Sequence, residues 1–262
     1  MTRLKPITLI TGASAGIGAA LADLFADRGH QLVLVARRAP RLQAIADAIE
    51  DRGHARPRVI ALDLTRADAP ARIEEELRAG GLEPQYVVNN AGFGLLGPAA
   101  KLDREQQLAM IDLNVRALTD LSLRFVDSLE RHKGGILNVA SVASFMPGPG
   151  LAIYHATKAY VLWFSEALHR ELAPRGVRVT ALCPGPVATE FQARAGMPEA
   201  HFPRLLARSA ERVAREGYEG LMRGQRVVVP GSANKVAALL PRLLPRGFML
   251  KMMRAFGPDR LS

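Results

Sequence analysis

Cysteine is nearly missing from this sequence. Cys183 is the only one among 262 residues, so the chain cannot form an intramolecular disulfide. A chain of this length buries enough apolar surface to fold without cross-links, and 48% of its residues are hydrophobic. Free thiols are typical of reducing compartments, and we therefore expect a cytoplasmic location.

Long hydrophobic runs are absent as well. No stretch approaches the roughly 18 uninterrupted apolar residues that a membrane-spanning helix needs. Met1 to Pro6 lead at once into a predicted strand, and no charged segment precedes an apolar run there, as it would in a secretory signal. The sequence therefore predicts neither a membrane-spanning helix nor an export signal.

Acidic residues are scarce relative to basic ones, and the formal net charge is +10. From His201 to Ser262 there are 12 Lys/Arg and 4 Asp/Glu, a local balance of +8. Nucleic-acid binding is the first hypothesis for such a charge, but that mode also uses basic clusters with interleaved stacking aromatics. This stretch lacks such clusters, so we expect no nucleic-acid partner.

The chain does contain a regular alternation of short apolar runs and helical segments. Strands are predicted at 7–11, 31–36, 59–62, 86–89, 135–140, 177–183 and 226–229, and helices at 17–28, 41–52, up to about 79, 104–131 and 154–173. Alternation of this kind requires parallel strands joined by right-handed crossovers. We find no repeat or linker, and so predict one α/β domain over 1–262, a Rossmann-type, doubly wound sheet of about seven parallel strands with helices on both faces.

A glycine-rich turn joins the first strand to the first helix. Residues 11–18 read Thr-Gly-Ala-Ser-Ala-Gly-Ile-Gly. Glycines let the backbone turn sharply and let a pyrophosphate approach the free N–H groups of a helix N-terminus. The turn predicts a dinucleotide site, and its candidate residues are Gly12, Ser14, Ala15, Gly16, Ile17 and Gly18.

The end of the second strand indicates which dinucleotide binds. An NAD site carries Asp or Glu here for the ribose 2′-hydroxyl, but this chain has Ala36 followed by Arg37 and Arg38. A guanidinium pairs with a 2′-phosphate through charge-assisted hydrogen bonds, whereas a carboxylate would repel it. We therefore predict NADPH/NADP+, with Arg37 as the main phosphate ligand and Ser14 and Arg38 as helpers.

A tyrosine and a lysine lie one helical turn apart on a predicted helix. Tyr154 and Lys158 stand at positions i and i+4, so they share one helix face. A nearby ammonium and the positive ring of the nicotinamide favour the phenolate, and we expect them to lower the pKa of Tyr154 toward use as an acid/base. Ser141 ends the fifth strand, at the same sheet edge as the glycine turn.

Taken together, these motifs resemble the short-chain dehydrogenase/reductase family from Thr8 to about Pro230. Besides the glycine turn, Ser141 and the Tyr-x-x-x-Lys pair, the similar pieces are Asp63-Leu64, Asn89-Asn90-Ala91-Gly92, Asn114 and residues 184–189, Pro-Gly-Pro-Val-Ala-Thr. The resemblance implies an oxidoreductase that moves a hydride reversibly between the nicotinamide and a carbonyl or alcohol carbon.

The resemblance also implies a role for each matching residue. Tyr154 exchanges the proton with the substrate oxygen, Ser141 hydrogen-bonds that oxygen, Lys158 binds the nicotinamide ribose, and Asn114 holds a water of the proton relay. Asp63 contacts the adenine, Asn90 lies along the cofactor, and Val187 with Thr189 holds the carboxamide end. The remaining cofactor positions are Leu64, Ala91, Gly92, Pro184 and Gly185, and no metal is implied.

Partners and substrate are predicted more coarsely. The family's catalytic helix packs against a second subunit, so Trp163 and Phe164 suggest a homodimer or homotetramer; a core role is the alternative. Residues 186–225 are the expected lid over the substrate. Apolar loop residues predict a partly apolar small-molecule carbonyl or alcohol substrate: Phe93, Leu95, Phe145, Met146 and Leu151, with Phe191, Met197 and Phe202 in the lid.

Three features leave alternatives open. The basic and apolar tail, 236–262, could lie on an anionic membrane surface, on the sheet or on a partner chain. Two further functions therefore stand beside the enzyme: a non-catalytic NADPH-binding sensor or scaffold, and a membrane-surface reductase of lipid-like substrates. His155 and Cys183 adjoin the motifs, but we interpret both as structural.

Overall fold

Seven short apolar segments pair in parallel in the computed structural model, which describes residues 4–196 and 206–255. The strand order is β3-β2-β1-β4-β5-β6-β7. The strands are β1 (Lys5–Thr11), β2 (Leu32–Ala36), β3 (Arg58–Ala61), β4 (Leu82–Asn89), β5 (Gly135–Val139), β6 (Arg178–Leu182) and β7 (Val227–Val228). The predicted doubly wound parallel sheet is confirmed.

Helices cover both faces of the sheet because β1 and its neighbours bury side chains on both sides. Ile7 and Leu9 pack with α3, α5 and α7, whereas Ile10 packs with α1, α2 and α9. The helices are α1 (Gly16–Asp27), α2 (Ala39–Asp51), α3 (Ala69–Ala79), α4 (Arg104–Ile111), α5 (Leu118–Arg124), α6 (Val126–Arg131), α7 (Ala152–Leu172), α8 (Glu190–Arg194), α9 (Ala210–Met222), α10 (Ser232–Leu243) and α11 (Arg246–Ala255).

Two sequence-based expectations need correction. The helix predicted over 104–131 is interrupted at Phe125, which separates α5 from α6, and it contains a π-helical turn (Asp112–Ala117) between α4 and α5. The lid expected over 186–225 is too long, since α9 buries Val213 and Leu221 in the core beside α1 and the sheet. Only the part before α9 remains available as a lid.

The strand order reverses at β1, which pairs with β2 on one side and β4 on the other. Chain segments leaving β1 and β4 therefore turn to opposite faces and leave a crevice beyond the carboxyl ends of the strands. The glycine turn, the two arginines, Asp63, Asn90 and Ser141 each follow the carboxyl end of a strand, so the fold gathers them at one edge of the sheet.

A buried chain of polar side chains ties two helices to the middle of the sheet. Asn89 of β4 donates to Ser122 of α5 at 2.9 Å and to Asn138 of β5 at 2.9 Å. Asn138 in turn donates to Ser165 of α7 at 2.9 Å. Because water cannot replace these partners in the core, the chain fixes how α5 and α7 sit on the sheet.

We expect Asn138→Leu to destabilise the protein by about 1–3 kcal/mol, because Asn89 loses a buried acceptor while the leucine gains no polar partner. Urea unfolding followed by circular dichroism measures the change. Gln106→Ala, on the exposed surface of α4, is the matched control and should stay within about 0.5 kcal/mol of the unmodified protein. Equal unfolding midpoints for Asn138→Leu and the control would contradict this interpretation.

Candidate active site

A cavity of about 990 Å³ lies over the carboxyl ends of the strands. Every predicted cofactor and catalytic residue lines it except Gly18 and Asn114. The cavity is large enough for a dinucleotide and a second molecule to lie side by side, since ligand pockets commonly measure about 300–1,000 Å³. The structure thus brings the scattered sequence motifs into one site.

The glycine turn shapes the floor of one half of the cavity. Gly12 and Gly16 have φ values of 64° and 56°, a conformation that L-residues rarely adopt. A Cβ on Gly12 would lie 2.8 Å from Ala91 Cα, and one on Gly16 would lie 2.9 Å from Thr189 Cγ2. Gly18 has a packing role instead, because a Cβ there would strike the carbonyl oxygen of Gly12.

The first turn of α1 is built to receive an anion. The helix begins at Gly16, and Ala15 at its N-cap supplies no side-chain hydrogen bond. The N–H groups of this turn therefore lie beside the cavity without a side-chain cap, and the helix dipole adds positive potential there. Together with the close approach that the glycines permit, this turn fits the pyrophosphate of a dinucleotide.

Thr11 and Asn90 hold the glycine turn in place. The Thr11 hydroxyl accepts hydrogen bonds from the N–H groups of Asn90 and Ala91 at 3.0 and 3.1 Å. The Asn90 side chain donates to the carbonyls of Thr11 and Gly12 at 2.9 and 3.1 Å. Asn90 thus braces the turn from β4, and Thr11 is a positioning residue that the sequence analysis left without a role.

Arginines line the far end of the cofactor half. Arg38 donates to Ser14 at 3.0 Å and to Glu190 at 2.7 Å. Arg37 lies 3.8 Å from Asp63 in a loose ion pair, and its side chain is half exposed. Arg37, Arg38 and Ser14 lie together at this end of the cavity, and their role as ligands of a 2′-phosphate stays a prediction. Glu190, the partner of Arg38 on α8, was not predicted.

Ser141 and Tyr154 meet at the other half of the cavity. Ser141 begins a 3-10 turn (Val142–Phe145), accepts a hydrogen bond from Ala143 N at 3.1 Å and is nearly buried. Ser144, another residue without a predicted role, donates to the Lys158 carbonyl at 2.8 Å and so joins this turn to α7. Ser141 is thereby held where its hydroxyl meets the Tyr154 phenol.

In the protein by itself, the pKa of Tyr154 lies above its ordinary value, whereas the lowering that we expect also involves the positive nicotinamide ring. Burial raises this pKa to about 12, and this outweighs the hydrogen bond with Ser141, which lowers it. The Lys158 ammonium, 5.9 Å from the centre of the tyrosine ring, is too far to reverse the effect of burial. Considering only the groups of the protein itself, Tyr154 is therefore a neutral, protonated phenol across the physiological pH range.

Lys158 is the second perturbed group of the site. Only 4% of it is exposed, and its ammonium donates to the Val139 carbonyl at 2.7 Å. Burial lowers its pKa to about 8, because the charged form is poorly solvated there. Lys158 is therefore mostly protonated at pH 7 and loses its charge just above that pH.

Asn114 lies behind the cavity wall, fully buried in the π-helical turn. Its side-chain amide donates to the Phe93 carbonyl at 3.0 Å and to Thr157 at 3.1 Å, and its oxygen accepts from Phe93 N at 3.1 Å. It thus connects α7 to the loop after β4. Local π-helical turns are frequent at functional sites, and the relay water stays a prediction.

Apolar side chains surround the catalytic end. Of the predicted lining residues, Phe93, Met146, Leu151 and Phe191 line the cavity, but Leu95 and Phe145 do not. Phe145 packs beside a core cluster instead, and Leu96 replaces Leu95. Met197 and Phe202 lie outside the described residues. The sequence analysis missed Ala237, Leu240, Met249 and Met252 of α10 and α11, whose separation from the motifs gives no local hint.

His155 and Cys183 have the structural environment that we predicted for them. The His155 Nδ1 atom lies 2.7 Å from the Met146 carbonyl, and burial lowers the pKa of this histidine. Cys183 is fully buried, and burial raises the pKa of its thiol to about 12. A thiol of that pKa is not a nucleophile at neutral pH.

Comparison with known proteins identifies the same family. The short chain dehydrogenase family model matches residues 6–199. Serine 3-dehydrogenase of Agrobacterium fabrum is 36% identical over 70% of this chain and 72% of its own. The NADPH-dependent 1-acyldihydroxyacetone phosphate reductase of Schizosaccharomyces pombe is 37% identical over 76% and 66%. A short-chain dehydrogenase from Sphingobium yanoikuyae, solved with NADPH, is 36% identical with a TM-score of 0.79, covering 93% and 95%.

The lowered pKa of Lys158 predicts an alkaline limit of activity. As the pH rises through about 8, the ammonium is lost, and kcat/KM for ketone reduction should fall by up to tenfold per pH unit. Tyr154 cannot cause this fall, since its pKa is about 12. Initial rates of NADPH oxidation between pH 6 and about 10 measure the limit. A profile that stays flat to pH 10 would contradict the role of Lys158.

Proposed function

This chain belongs to the short chain dehydrogenase family, and from that membership we propose that it reduces an apolar carbonyl compound with Tyr154 as the proton donor. It is an NADPH-dependent oxidoreductase acting on carbonyl and alcohol groups. The observation that carries the proposal is the pairing of the Ser141 and Tyr154 hydroxyls beside the buried Lys158.

The protein's own groups would handle the proton and the charge. NADPH, when bound, supplies the hydride. Ser141 and Tyr154 direct two hydroxyl donors at the substrate oxygen, and Tyr154 gives up its proton as negative charge grows on that oxygen. The Lys158 ammonium then stabilises the phenolate that remains. Arg37, Arg38, Ser14 and the first turn of α1 hold the phosphates.

Reduction is the favoured direction. A phenol with a pKa of about 12 is protonated at neutral pH, as a proton donor must be. To act as a base it must first lose that proton. The same residue can serve oxidation once positive charge nearby lowers its pKa. The geometry thus favours the carbonyl as the physiological substrate.

The size and lining of the cavity favour an apolar substrate. The two named relatives act on very different molecules, serine in one case and an acyl glycerone phosphate in the other, so family membership does not choose between them. In this chain Phe93, Leu96, Met146 and Phe191 lie at the catalytic end, and Met249 and Met252 extend the apolar wall. Arg194 also lines the cavity, and its guanidinium lies 5.9 Å from the centre of the Phe93 ring. Because most of the wall around it is apolar, we propose a ketone with long or bulky apolar substituents.

We further propose that the enzyme is a cytoplasmic homodimer or homotetramer. Large apolar side chains are exposed on α4, α5 and α7, among them Trp163 at 72% and Leu123 at 52%. Apolar groups of that size on neighbouring helices suit contact with a second copy. In the described part of the chain no helix is both long and apolar enough to cross a bilayer.

Tyr154→Phe is the test of the proposed function, because it removes the proton donor and keeps the ring. We expect unchanged NADPH binding, measured by nicotinamide fluorescence, and a loss of at least about a thousandfold in kcat on a panel of long-chain and bulky ketones. Short polar ketones, run in parallel, should be reduced more slowly by the unmodified enzyme.

Two outcomes would contradict the proposal. Tight NADPH binding without turnover of any carbonyl would favour a non-catalytic sensor or scaffold. Equal rates on matched polar and apolar ketones would remove the assignment of substrate class and leave the reaction class intact.

A further inference from the structure

Helix α10 presents its apolar side to solvent. Val236, Leu239, Leu240 and Leu243 follow the spacing i, i+3, i+4, i+7 and form one stripe, with exposures of 59%, 52%, 41% and 71%. The side that faces the protein is formed by small or polar residues such as Ala238 and Asn234. A helix that served only to cover the core would have the reverse arrangement.

Helix α11 continues this face. Phe248 and Leu250 are 55% and 45% exposed. The α10–α11 surface, defined as the exposed side chains of residues 232–255, lies outside residues 6–199, which the family model matches. In the described part of the chain, the large apolar side chains that are exposed fall into two groups, this one and the one on α4, α5 and α7.

The charge of this segment has one sign. Residues 232–255 hold five basic residues and neither aspartate nor glutamate, the basic ones being Lys235, Arg242, Arg246, Lys251 and Arg254. Lys235 and Lys251 are exposed. Apolar side chains beside basic ones are the composition that binds a bilayer with anionic lipid headgroups.

The surface is continuous with the active-site cavity. Leu240 belongs to the exposed stripe and also lines the cavity, and the buried sides of α10 and α11 contribute Ala237, Met249 and Met252 to its wall. An apolar molecule leaving a bilayer at this surface would therefore meet the cavity wall at Leu240.

We propose that the α10–α11 surface docks on an anionic lipid bilayer and that the apolar carbonyl substrate enters the cavity from that membrane. The second part rests on the proposed function, whereas the docking does not. A second copy of the chain fits less well, because a two-fold contact through this surface would bring the exposed Lys235 and Lys251 of both copies together.

Vesicle co-sedimentation of the full chain tests the docking. Phosphatidylcholine vesicles with phosphatidylglycerol should pellet the protein, and pure phosphatidylcholine vesicles should not. Lys251→Glu, and the pair Leu239→Asp with Leu243→Asp, should each weaken vesicle binding by at least about tenfold. Arg72→Glu, an equal change of charge on exposed α3, is the matched control and should bind as the unmodified chain does.

Activity separates this proposal from the proposed function. In the absence of lipid, reduction of a water-soluble ketone should be equal in all these variants, which also shows that they fold. Vesicle binding without turnover would retain the docking and reject the reductase. The docking would be overturned by equal binding to neutral and anionic vesicles, or by no binding at all. It would also be overturned if the Leu239→Asp/Leu243→Asp protein formed a smaller assembly than the unmodified chain in sedimentation velocity.

A separate observation concerns the phosphate end of the cavity. Glu190, the first residue of α8, reaches across to the loop after β2 and forms ion pairs with both Arg38 and Arg41. These hydrogen bonds lower the pKa of Glu190, so its carboxylate is ionised. The Glu190 carboxylate and the Ser14 hydroxyl thus both accept hydrogen bonds from Arg38, at the position proposed for the 2′-phosphate.

We infer that the Glu190 carboxylate competes with the 2′-phosphate of NADPH for Arg38. This competition limits how strongly the site prefers NADPH over NADH. Removal of the carboxylate leaves the guanidinium groups free for the cofactor. Since exposed ion pairs contribute little, the effect should be modest. Glu190→Gln should therefore tighten NADPH by about three- to tenfold and leave the Kd of NADH unchanged.

Fluorescence titrations with both cofactors decide the role of Glu190. Glu219→Gln, which breaks a comparable exposed ion pair with Arg223 on α9, is the control and should change neither Kd. Arg37→Asp gives the opposite contrast, with NADPH weakened far more than NADH. Weaker NADPH binding by Glu190→Gln would contradict the competition and indicate instead that Glu190 helps to hold the bound cofactor. An equal change in the Kd of NADPH and of NADH would also contradict it.

Discussion

Parallel pairing of all seven strands is the constraint on which the site depends. Because every strand runs the same way, every carboxyl end lies at one edge, and the loops that follow must share that edge. The glycine turn follows β1, the arginines follow β2, and Ser141 follows β5. Residues far apart in the chain thereby become neighbours around one cavity, and no separate interaction is needed to bring each pair together.

Burial decides the electrostatics of that cavity. The same low-polarity surroundings raise the pKa of Tyr154 and lower that of Lys158, since each shift favours the neutral form. Simple attraction between an ammonium and a phenol, as expected from their spacing of four residues, is the smaller effect. At neutral pH the site therefore holds a protonated phenol beside a lysine that is still mostly charged.

The two ends of the cavity are completed by elements that lie late in the chain. Glu190 of α8 reaches the arginines of the cofactor end, and Met249 of α11 closes the substrate end. Both elements are short or peripheral and bury little core. The specificity that we propose for this chain thus depends on elements late in the sequence that lie at the periphery of the fold.

The sequence by itself determined the fold class, the cofactor and the Ser141, Tyr154 and Lys158 group, because short apolar strands and fixed motif spacings are local properties of the chain. Tertiary structure alone decided the direction of the pKa shifts, the π-helical turn at Asn114 and the position of α10 and α11. These depend on which groups are buried together, and burial is a property of the packed molecule that no local pattern contains.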